Sequence, residues 1–165
     1  MTEDMQNYHH KYSVAAHNQA MDILYAEVPS QAEVENLIEL THVAHWHWMH
    51  RTDRQPKNIS VALWALSRAY AENGLGELAL RYAKESLATI EGKDLLPSFY
   101  GYCNEALARA YSLIGKREQA KTHLDRAYEI AETVPNAQAK EYLLEQINRI
   151  DLSRNSASWR KRGQV

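Results

Sequence analysis

Two stretches of this 165-residue chain repeat each other without a gap, at a constant offset of 41 residues. Fixed-period self-similarity of this kind leaves few folds open, because each copy must be one supersecondary unit that buries its apolar face on the next. The copies are ALWALSRAYAENGLGELALRYAKESL over 62–87 and CNEALARAYSLIGKREQAKTHLDRAY over 103–128. Leu66 answers to Leu107, and Arg68-Ala69-Tyr70 to Arg109-Ala110-Tyr111. Gly74 answers to Gly115, and Ala79 to Ala120.

Each copy reads as helix, glycine turn, helix. Leu63, Leu66, Ala69 and Tyr70 recur at helical spacing, Gly74 supplies the left-handed residue that ends a helix, and Leu78, Ala79, Tyr82, Ala83 and Leu87 restart the period. Ser67, Ala79, Ala108 and Ala120 are small enough for close helix approach, with Tyr70 and Tyr111 supplying bulk between helices.

With Leu66, Ser67, Tyr70, Gly74, Ala79, Ala83 and Ser86, then Leu107, Ala108, Tyr111, Gly115, Ala120, Leu124 and Ala127, the chain resembles the tetratricopeptide (TPR) family over roughly 62–134. Its period exceeds the family's roughly 34 residues. The proline that usually closes a repeat has no counterpart at Glu91 or Glu132. The resemblance implies an all-α, right-handed stack of antiparallel helix pairs. It also implies a concave face lined by Val61, Trp64, Arg68 and Ala71, then Tyr102, Glu105, Arg109 and Ser112. Within it, Trp64, Arg68, Tyr102, Glu105 and Arg109 form the expected binding groove: two guanidiniums one repeat apart can clamp a carboxylate or phosphate, and the rings offer flat apolar surface. The competing reading is that these arginines pair with acids such as Glu72 or Glu105.

Two repeats need flanking helices, and the flanks supply them. Ser30 and Glu33 form a capping box after Pro29, which divides a degenerate pair over 6–50. The repeats then span 56–91 and 94–134, and Pro135-Asn136 open a capping helix over 136–154. The expectation is about seven helices in one domain, 1–154, with 155–165 a flexible basic tail.

Composition removes several classes. Cys103 is the only cysteine, so no internal disulfide or cysteine-based zinc cluster can form. Net charge is −2, with a basic C-terminal stretch on an acidic body, which is not the striped basic face of a nucleic-acid-binding domain. No apolar run approaches a membrane span, and the opening MTEDMQNYHH lacks a signal-peptide pattern, so a cytoplasmic location is expected. Gly-rich phosphate loops and nucleophile elbows are missing, so no catalysis and no cofactor are expected.

The unusual passage is THVAHWHWMHR, 41–51. His42, His45, His47 and His50 are candidate ligands for a small molecule or metal, but no HExxH motif or second Glu-x-x-His copy accompanies them, and no metal site is expected. The plainer reading packs Trp46 or Trp48 in the core. The leading expectation is a scaffold or adaptor that binds a protein or peptide. The alternative is a small-ligand or metal-binding sensor or enzyme built on the 42–50 helix. A homodimer is a further possibility, since terminal helices carry apolar stripes.

Overall fold

The computed structural model describes residues 2–26 and 28–152. The basic tail expected over 155–165 lies outside them. Seven helices occupy the described chain, with no strand among them: α1 Glu3–Tyr25, α2 Gln31–His50, α3 Pro56–Glu72, α4 Gly76–Ile90, α5 Pro97–Leu113, α6 Arg117–Glu132 and α7 Ala137–Asn148. They pack as successive pairs, α1 on α2, α3 on α4 and α5 on α6, with α7 against α5 and α6. The odd-numbered helices touch in sequence, α1 to α3, α3 to α5 and α5 to α7, and so build one continuous row.

The turns follow from local chemistry. Ser30 accepts from the Glu33 amide while the Glu33 carboxylate accepts from the Ser30 amide, the reciprocal pairing read from the sequence. Gly74 and Gly115 have φ of 71° and 76°. Behind each, the same two bonds close the helix end. Gly74 N–H donates to Ala71 C=O and Leu75 N–H to Tyr70 C=O; Gly115 N–H donates to Ser112 C=O and Lys116 N–H to Tyr111 C=O. This six-to-one and five-to-two pattern satisfies carbonyls that a bare terminus would orphan.

Small residues carry the helix contacts. Ala79, Ala83, Ala120 and Ala127 are fully buried, and Ser67 Oγ donates to the Ala79 carbonyl of α4 at 2.9 Å. Trp64, Leu80, Leu107 and Leu113 fill the central core, while Leu143 and Ile147 of α7 join Ala127 and Ala131 in a second. At Gly101 a Cβ would stand 2.4 Å from Leu143 Cδ2, so a glycine lets α7 press onto α5. Ala20, Leu24, Leu37 and Ala69 seat the first pair. Helix α7 stops at Asn148, before the expected 154, and just beyond it Asp151 C=O accepts from Ser112 Oγ of α5 at 2.9 Å, a bond to another helix in place of a helical one.

Candidate functional site

The residues expected to line a groove lie along the row of α3, α5 and α7, and the structure brings them into one buried network. Glu105 is fully buried and Arg68 is 3% exposed. Glu105 Oε2 accepts from Trp64 Nε1 at 3.1 Å, and Oε1 accepts from Arg109 Nε at 2.8 Å and Arg68 NH1 at 3.3 Å. Arg68 NH2 reaches Glu72 at 3.2 Å. Helix α7 closes the network: Gln146 Oε1 accepts from Arg68 NH1 at 3.0 Å, and its backbone carbonyl accepts from Arg109 NH2 at 3.0 Å. Both guanidiniums are therefore engaged inside the fold, by the Glu72 and Glu105 pairing that the sequence offered as the competing reading.

Burial alone would push the Glu105 carboxyl up, but Arg109 and Arg68, with the Trp64 N–H, hold it below its ordinary value. Tyr102 packs edge-on against Trp64, with ring centroids 5.3 Å apart, and burial pushes its hydroxyl well above the usual tyrosine range. Two buried donors, Arg68 Nε and Gln146 Nε2, find no acceptor. The sequence reading missed Gln146, although the signal was available. The 41-residue step from Trp64 to Glu105 leads, taken once more, to Gln146.

The four candidate histidines of α2 separate into two groups. His42 Nε2 pairs with the Tyr70 hydroxyl at 2.8 Å and stands edge-on to Tyr70 and Tyr82, which stack at 5.4 Å. His45 is half-buried, and that burial, with His42 nearby, lowers its imidazole below the ordinary value. The next repeat reproduces the Tyr70–Tyr82 stack with Tyr111 on His123.

His47 and His50 instead turn toward α1. His9, 2% exposed, places its Nδ1 3.0 Å from Nδ1 of His47 and stacks on His50 at 5.4 Å. His50 Nδ1 meets the Trp46 carbonyl at 2.7 Å. Burial, then His9 and His50, push His47 below the ordinary histidine value. Around this seam an aromatic face opens outward. Tyr8 stacks on Tyr12, Tyr12 touches His47, and Trp46 covers His9 and His50. Tyr8 is 54% exposed and Trp46 52%, with Met5 and Val43 exposed as well. Trp46 is thus the exposed member of the pair, while Trp48 lies beneath the Arg51 guanidinium at 3.8 Å.

Among the described residues, no three His, Cys, Asp or Glu side chains are grouped as a metal ion would require. Nor, among them, is any helix long and apolar enough to cross a membrane. Cys103 is buried against Ser86 Oγ at 3.2 Å and Ser60 Oγ at 3.5 Å, and burial raises its thiol. No protein-family model, curated protein or solved structure matches the chain.

Proposed function

We propose that this chain is a TPR-like interaction module, a scaffold or adaptor for a protein or peptide partner, and that it makes contact through the aromatic face of the α1–α2 pair. The supporting observation is the exposure of Trp46 and Tyr8 beside Tyr12, all held at a packed helix seam. Half-exposed aromatics on packed helices offer large apolar area at little further cost in side-chain freedom, which is how binding hot spots are built. The inner row favours this face over the groove, because Arg68 and Arg109 already have acidic partners.

Capture of partners by immobilised full-length chain tests the proposal. A Tyr8→Ser/Trp46→Ser double variant, matched to the parent in helicity, should lose the specifically retained protein, and Arg81→Ala on exposed α4 should keep it. Retention of the same partner by the aromatic double variant would sink the assignment. Should Arg68→Lys/Arg109→Lys release that partner in a folded chain, the groove would be the site instead.

A further inference from the structure

The contact between His9 and His47 has a chemical condition attached. Two imidazole Nδ1 atoms 3.0 Å apart can bond only when one carries a proton and the other does not. Starting from two neutral rings, one added proton leaves the bond in place, since a cationic ring can donate to a neutral one. Only a second added proton sets two cations facing each other across the helix seam, one of them on a residue almost wholly removed from solvent.

The surroundings do little to absorb that charge. On α1, His10 and Lys11 follow His9 directly, and the acids Glu3 and Asp4 lie more than a turn before it in the first turn of the helix. On α2, His50 stacks on the His9 ring. In the loop after α2, the buried Arg51 donates to Ser13 Oγ of α1 at 3.1 Å, a fixed cation at the same seam. Asp53 there already gives one oxygen to Arg51 Nε at 2.8 Å and the other to Arg51 NH2 at 2.6 Å. Further ties between the segments join neutral groups: Gln6 Nε2 donates to the His50 carbonyl at 3.1 Å, and Thr52 N–H donates to Gln6 Oε1 at 2.9 Å.

We propose that the His9–His47 pair is an acid-operated latch, which holds the first half of α1 on α2 near neutral pH and releases it in mild acid. Tyr8 and Tyr12 ride on the released segment, while Trp46 stays on α2. Opening therefore takes the aromatic face apart and makes capture by that face pH-gated. The gating rests on the binding proposal above; the opening does not.

Amide hydrogen exchange of the full chain, corrected for intrinsic rates, tests the latch at about pH 7 and about pH 5.5, which bracket ordinary histidine titration. Protection over the first half of α1 should fall by about tenfold, the equivalent of one unit of proton affinity, while α5 keeps its protection. His47→Asn leaves one acceptor for His9 and cannot charge, so its fall should shrink severalfold. His42→Gln, removed from the seam, should behave as the parent does. In the parent, NMR titration should show His47 taking up its proton below the ordinary histidine value. Equal protection at both pH values, an undiminished fall in His47→Asn, or titration of His47 at or above 6.5, the ordinary histidine value, would each overturn the latch. Tyr8→Ser separates the two proposals. It should keep the exchange response and lose partner capture, so a failure of capture leaves the latch standing.

Discussion

The two ends of the row of odd-numbered helices solve the burial of polar side chains in opposite ways. Along α3, α5 and α7, charge is buried in compensating sets: Glu105 takes hydrogen bonds from Trp64, Arg68 and Arg109. At the α1–α2 pair, beside the buried Arg51, the contact is instead between imidazoles, with His9 against His47 and rings stacked outward into solvent. The first arrangement is rigid and holds whatever the mild changes in solution. The second depends on the proton count. A charged network inside a fold gives geometry, whereas a histidine seam gives responsiveness.

The largest effect should come from breaking the charged set at its centre. Glu105→Ala leaves two guanidiniums buried beside each other without their shared carboxylate, and should lower unfolding free energy by about 3–5 kcal/mol in a urea titration. The two tryptophans then sharpen the contrast. Trp64→Ala empties a buried site and should cost about 3–5 kcal/mol. Trp46→Ala, on the half-exposed face, should cost under about 1 kcal/mol in the same assay.

A smaller effect is expected where the regions are alike in kind. Gly115→Ala forces a side chain into a left-handed turn with nothing within 4 Å of the added carbon, so it should cost about 1 kcal/mol from backbone strain alone.

The gentlest probe is pH. His17, His45 and His123 lie below the ordinary value through burial, and His47 through burial with His9 and His50. The folded chain therefore binds fewer protons than the unfolded one, and stability should decline as pH drops below the ordinary 6.5. Glu105 acts in the same sense, in a more acidic window. Its carboxyl is held below the ordinary 4.5, so its contribution persists above that value and is lost only as pH falls through the depressed one. Thermal melts across this range should show the α1–α2 pair loosening before the inner row. Simultaneous loss of both would remove the distinction.

Much of the architecture was legible in the sequence because repeats, glycine turns and caps are local. Gly74, Gly115 and Ser30 each do what their residue type dictates within a few positions. The site was less legible. Arg68 and Arg109 were visible as equivalent positions with acids in reach, but their bonds to Gln146 depend on how closely α7 approaches, which Gly101 and Leu143 help set across 42 residues of chain. Nothing in the sequence sets His9 apart from His10, His17 and His123, because its partnership with His47 spans two helices and no spacing rule marks it. The early end of α7 likewise goes with a tertiary bond, Ser112 to Asp151, that no local pattern marks.

The bond from Arg68 to Gln146 joins positions 78 residues apart and skips over the intervening repeat. Ordinary solenoids couple each unit only to its neighbours, which lets them unzip from an end. Here the first repeat holds α7 directly. Fraying of α7 would strip a hydrogen-bond acceptor from a guanidinium two layers away. The inner helices should therefore melt together, as one cooperative block rather than as a row of separable modules.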